Sequence, residues 1–156
     1  MAKDIPLSEI TLRRYEKPYK TERRELMKKI CLSLGLLQPG DSRDVVVDIL
    51  LVLTDAAKGK EQLSSEDIGE RAGILRKESS LDVKGLAESN IRRQLKRLRD
   101  LMLIEKQNNL YNLAEFLSLK EIFTSKIERF LLPQILERTK EYLEEIEKPG
   151  TKTIGL

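Results

Sequence analysis

The chain has 156 residues, 40% of them hydrophobic and 35% charged, which suits one domain with a real core and possible extensions. Its 29 basic and 26 acidic residues leave a net charge of only +3, so a polyelectrolyte is excluded and any nucleic-acid role must rest on where charge sits. With no histidine and a single cysteine, Cys31, imidazole bases, imidazole metal sites, cysteine metal clusters and an intrachain disulfide are excluded.

The opening MAKDIPLSEI has no apolar run, so no secretory signal is expected. Leu7 to Tyr15 reads as a short helix stopped before Pro18. Thr21 is placed to cap a helix over about 22–34, with Leu26, Ile30 and Leu34 as its buried face and Gly35 as its stop. Cys31 lies in the apolar run Ile30-Cys31-Leu32 and reads as a small buried hydrophobe. Its unpaired thiol fits a reducing cytoplasm.

Pro39-Gly40 marks a turn, and Ser42 is placed to cap a helix over 43–58 that Gly59 ends. Val46, Ile49, Leu50 and Leu53 form its stripe, widened by Val45, Val47 and Val52. It is the most apolar helix and belongs at the centre of the domain. Its apolar runs, broken by Asp48, fall far short of the ~20 residues that span a bilayer, so no membrane role is expected.

Ser64 or Ser65 opens the next helix, with Glu66 and Asp67 in its first turn. Ile68, Ala72 and Leu75 face inward, Gly69 and Gly73 weaken it, and its end falls between Ala72 and Ser79. A polar loop over 80–84 leads to Gly85 and then to a basic helix over 88–101. Residues 103–106 and 110–113 read as a hairpin around Asn108-Asn109, since asparagine tolerates the positive φ of a two-residue turn.

From Glu115 to about Glu147 the pattern is helical again. Phe116, Leu119, Phe123, Ile127, Phe130 and Leu131 keep the period, Pro133 kinks or splits the helix near Leu132, and Ile135, Tyr142 and Ile146 continue beyond. Residues 148–156 lack periodicity and are expected to fray. The division is an N-terminal helical extension (1–40), a central domain (41–114), a C-terminal helical segment (115–147) and a tail (148–156).

The basic helix is the informative element. Ile91, Leu95, Leu98 and Met102 share one apolar face. Over 89–106 there are six basic and two acidic residues, so this stretch alone carries +4. Cations beside phosphates release condensed counterions, and side chains near a helix N-terminus reach base edges in a major groove. Asn90, Arg93, Gln94 and Arg97 are the expected groove contacts, with Ser89, Arg92 and Lys96 on the phosphate backbone and Lys106 on the hairpin. The alternative is a solvated surface helix in a charge-rich protein.

The flanks weigh against that alternative. A glycine turn, a small residue, a polar cap, Ile91, Leu95 and Leu98, then LMLIEK running into a hairpin, resembles the winged helix-turn-helix family, in its regulator-like, archaeal form. The resemblance covers about Asp44 to Leu113. It implies a mainly α fold: a winged helix-turn-helix domain with a small β-hairpin and helical N- and C-terminal extensions. Residues 88–101 would be the recognition helix and the hairpin the wing. Two features depart from the family. Some ten to twelve residues, roughly Gly73 to Lys84, are extra, and Lys106 is the only basic residue of the wing.

The function so implied is double-stranded DNA binding by a homodimeric, cytoplasmic transcriptional regulator. The C-terminal helix is the expected dimer contact, since its apolar residues exceed what one small domain covers. The rival is a winged-helix protein–protein interaction module of a transcription, replication or chromosome-organising assembly. Tyr15, Tyr19, Tyr111 and Tyr142 are scattered, which argues against single-strand binding. No phosphate loop or HExxH motif occurs, and Glu66-Asp67, Glu144-Glu145 and Glu147 read as solvated charge. No enzyme activity, catalytic residue, metal, cofactor or small-molecule ligand is expected.

Overall fold

The computed structural model describes residues 3–150. It is mainly helical with a small three-stranded antiparallel sheet. The helices are α1 (Arg23–Ser33), α2 (Val45–Lys58), α3 (Ser65–Glu78), α4 (Glu88–Asp100), α5 (Leu119–Ile122) and α6 (Leu132–Glu147). The strands are β1 (Leu63–Ser64), β2 (Ile104–Gln107) and β3 (Leu110–Leu113), in the order β1-β3-β2.

α2 is buried on every side from Val45 to Leu53, as its composition demands, and packs against α1, α3, α4 and β3. One contiguous core runs from Met27 and Cys31 through α2, α3 and α4 to Ile127 and Leu131. Both extensions therefore share the core of the central domain. Caps differ in detail. Glu22 and Asp44, not Thr21 and Ser42, sit at the N-terminal boundaries of α1 and α2, and neither makes a side-chain cap. Ser64 does cap α3, accepting from Asp67 N–H at 3.1 Å.

Residues 7–15 are not helical, which corrects the expectation from sequence. Tertiary contacts hold them extended. The Arg13 N–H donates to Ser33 O at 2.8 Å, and its guanidinium donates to Leu32 O, Leu37 O and Gln38 Oε1. Thr11 lies over Gly35, whose φ is +71° and where a Cβ would stand 2.5 Å from the Thr11 Cβ. The segment thus straps the C-terminal end of α1.

The buried face of α1 is also rotated from the expected one. Met27, Cys31 and Leu34 are buried, whereas Leu26 and Ile30 are 38% and 36% exposed. Burial pushes the Cys31 thiol up to about 12, so it is an inert hydrophobe.

The β2–β3 hairpin pairs Ile104 with Leu113 and Gln107 with Leu110. Asn108 and Asn109 close it with φ of 52° and 61°, the mirror-image turn expected of that pair. β1, too short to show a period, adds Leu63 opposite Tyr111. Met102 leaves the helical stripe: α4 ends at Asp100, Met102 turns with φ of 65°, and Leu101 and Leu103 are buried instead.

Pro133 does not split the C-terminal helix. A π-wound stretch, Phe123–Leu131, joins α5 to α6 with helical dihedrals at both junctions, and Pro133 stands at the start of α6. The altered ladder absorbs the missing proline N–H. The helix ends at Glu147, and residues 151–156 of the expected tail lie outside the described residues.

Candidate nucleic-acid interface

The basic helix is placed by its inner face and its entry turn. Ile91, Leu95 and Leu98 are fully buried. Gly85 (φ +87°) turns the chain into α4, and its carbonyl accepts from Asn90 Nδ2 at 2.7 Å. A Cβ there would stand 3.1 Å from Val45 Cγ2 on α2. Of the two glycines expected to weaken α3, Gly73 lies close under the turn before α4, where a Cβ would meet Leu86 Cδ1 at 3.3 Å, whereas a Cβ on Gly69 would make only an ordinary contact with Ile91 at 3.7 Å. Residues 73–84, which the resemblance marks as extra, fall partly in α3, which runs to Glu78, and partly in the turn before α4, which starts at Glu88.

With the inner face sealed, the opposite side carries cations. Ser89, Arg92, Arg93, Lys96 and Arg99 are exposed. Arg92 pairs with Glu88 at 2.7 Å and Lys96 with Asp100 at 3.0 Å, both one helical turn apart and more than half exposed. Such surface pairs contribute only about 0.3–0.5 kcal/mol, so little free energy holds either cation to its carboxylate. Arg93 donates to Asn90 Oδ1 at 2.7 Å. Arg99, absent from the contacts expected from sequence, shares this side and has no carboxylate partner among the described residues. Its position seven residues after Arg92 is the signal that would have found it.

The other expected groove contacts are turned to the flank. Arg97 Nη2 donates to Leu36 O at 2.8 Å and Gly35 O at 3.3 Å, while its Nη1 donates to Gln94 Oε1 at 2.7 Å. Gln94 donates to Asn90 Oδ1 at 3.2 Å. Asn90, Gln94 and Arg97 thus form a polar line that ties α4 to its own entry turn and to the end of α1. Carbonyls at the end of a helix attract cations, so Arg13 and Arg97 converge on residues 32–37. Lys106 is exposed on β2, its Nζ 5.7 Å from the centre of the Tyr111 ring.

A second charge cluster, inside the protein, fixes this platform. Asp48 is fully buried in α2. It accepts from both terminal nitrogens of Arg24 on α1, through Nη1 and, at 2.9 Å, Nη2, and from Arg76 on α3 at 2.8 Å. Arg76 also donates to Asp44 at 2.8 Å and, through Nε, to Asp82 O at 2.6 Å in the turn before α4. The hydrogen bond to Asp48 holds the Arg24 guanidinium more firmly protonated than usual. Burial works against the charge on Arg76, and Asp48 and Asp44 more than offset it.

Elsewhere, an apolar groove of about 680 Å³ opens between residues 15–21, α1 and α5. Among the described residues no group of three or more metal-ligating side chains is gathered, and no helix is long and apolar enough to cross a membrane. No family model, no curated protein and no solved structure matches this chain.

Proposed function

We propose that the protein is a homodimeric transcriptional regulator of the cytoplasm that binds double-stranded DNA through a winged helix-turn-helix domain, with α4 in the major groove. One observation carries the reading. Arg92, Arg93, Lys96 and Arg99 project from a helix whose opposite face is locked into the core. The order α2, β1, α3, α4, β2, β3 is compatible with a winged helix, with the β2–β3 hairpin as the wing.

In this reading Arg93 and Lys96 face the bases. Arg92, Arg99 and Ser89 take phosphates, helped by the first N–H groups of α4, which no side chain caps. Lys106 adds one backbone contact from the wing. Asn90, Gln94 and Arg97 hold the helix rather than read the groove. α6 supplies the dimer contact, since every residue from Leu136 to Glu147 is exposed in the single chain.

The rival reading, a protein-interaction module, is favoured by Asp100, which stands among the cations and holds Lys96. Titrating a duplex at two salt concentrations separates the two. DNA binding predicts affinity that falls steeply with salt. Arg92→Ala with Arg99→Ala weakens it and lowers the salt slope by about 1 for each phosphate no longer neutralised. Binding that is absent, or indifferent to salt, rejects the DNA reading.

A further inference from the structure

Two apolar surfaces are left uncovered among the described residues. The first is the side of the C-terminal helix that packs onto the core at Ile127 and Leu131 and partly at Ile135. The same side continues past the domain as Leu136, Leu143 and Ile146, which are 52%, 54% and 69% exposed. The second is the groove between residues 15–21, α1 and α5, whose walls include Leu26, Ile30, Leu119 and Phe123. It is where α1 carries the apolar residues that sequence periodicity assigned to the core.

The stripe cannot fill the groove of its own chain. Phe123 stands at the root of the helix and Leu143 lies twenty residues further along it. At about 1.5 Å per residue the two are roughly 30 Å apart on one rod. A stripe from α6 that fills the groove must therefore come from another molecule, and the charges indicate which. The groove itself is lined by three basic side chains, Lys17, Lys29 and Lys120, and two acidic ones, Glu16 and Glu25, with Lys29 held by Glu16. The surrounding residues 13–29 hold eight basic and three acidic side chains. Two of the eight, Arg13 and Arg24, turn inward. Residues 132–147 hold five acidic and two basic side chains. Packing α6 against α6 would bring two acidic helices together and leave the groove bare.

We propose that the dimer is reciprocal: α6 of each copy lies in the α1–α5 groove of the other, its leucine stripe on Leu26, Ile30 and Phe123 and its carboxylates beside Lys17 and Lys120. Such a contact is closed and self-complementary, as a two-fold axis requires. This deepens the dimer part of the proposed function and is independent of its DNA part.

Sedimentation of the full chain tests it. The wild type sediments as a dimer. Leu143→Glu in the stripe and Ile30→Glu in the groove each raise the dimer dissociation constant at least about tenfold, with circular dichroism unchanged. Reversing the surface charges avoids the question of folding. Lys17→Glu with Lys120→Glu weakens the dimer, and adding Glu144→Lys with Glu147→Lys in the same chain restores it. A groove variant that dimerises as tightly as the wild type while Leu143→Glu is monomeric overturns the reciprocal contact in favour of α6 on α6. A monomeric wild type, or a charge swap that restores nothing, overturns it as well. Salt-dependent duplex binding by a monomeric variant is read separately, because Arg92, Arg93 and Lys96 are untouched, so failure here is distinct from failure of the DNA reading.

Discussion

Two sets of arginines sit on either side of α3 and α4, and they behave oppositely. On the outer side of α4, Arg92 and Arg93 are exposed, and among the described residues Arg92 is held only by Glu88 a turn away. Inside, Arg24 and Arg76 converge on Asp48, which is fully buried. The residue type is the same and the surroundings decide what it does. In water an ion pair is weak, so the outer cations can change partners. In the interior an unpaired charge is very costly, so the inner cations hold α1, α2, α3 and the turn before α4 in one arrangement. The outer set is available for binding because the inner set, with the apolar face of α4, keeps the platform rigid.

Breaking the inner set has the largest expected effect. Asp48→Ala leaves Arg24 and Arg76 to share Asp44 as their one remaining carboxylate among the described residues and costs about 3–5 kcal/mol, read as a fall in the denaturant midpoint. Replacing the three charges together, Asp48→Leu with Arg24→Leu and Arg76→Met, restores most of that stability, since no buried charge remains unpaired. Asp44 stays at the start of α2, where the helix dipole favours it. If the single substitution is harmless, the cluster does not brace the platform.

Arg97 sharpens the comparison because it belongs to α4 yet bonds inward. Arg97→Ala removes charged hydrogen bonds to Gly35 O and Leu36 O and costs about 1.5–3 kcal/mol. Arg92→Ala and Lys96→Ala each cost less than about 0.5 kcal/mol in stability while weakening duplex binding. An Arg97 variant that keeps its stability but no longer binds DNA would return this residue to the groove.

These contrasts also mark what was legible in the sequence. α2, α3, α4 and the Asn108-Asn109 hairpin could be read because each carries its own period and punctuation within a few residues. The face of α4 followed from Ile91, Leu95 and Leu98 alone. What escaped depends on partners distant in the chain. Asp48 read only as a break in an apolar run, because Arg24 and Arg76 lie 24 and 28 residues away. Arg97 read as a groove contact because the carbonyls that hold it are more than 60 residues earlier. The strap over residues 7–15 is extended because Gly35 and the end of α1 claim Thr11 and Arg13, which no local propensity encodes.

A further small effect tests the rule at an intermediate exposure. Arg23 donates two hydrogen bonds to Asp55, at 2.7 and 3.1 Å, across α1 and α2, with both side chains about half exposed. The hydrogen bond from Arg23 holds the Asp55 carboxyl below its usual range, with burial opposing and Lys58 adding a little. A depressed carboxylate stabilises the fold above its unfolded value, near 3.9, and that contribution fades as pH falls through the folded value. The stability difference between the wild type and Arg23→Ala is therefore present at pH 7, below about 1 kcal/mol because solvent screens the pair, and shrinks as the solution is acidified below about pH 4. Added salt reduces it at neutral pH. A difference as large as that of Asp48→Ala, or one that survives acid, would mean that exposure does not rank the arginines of this protein.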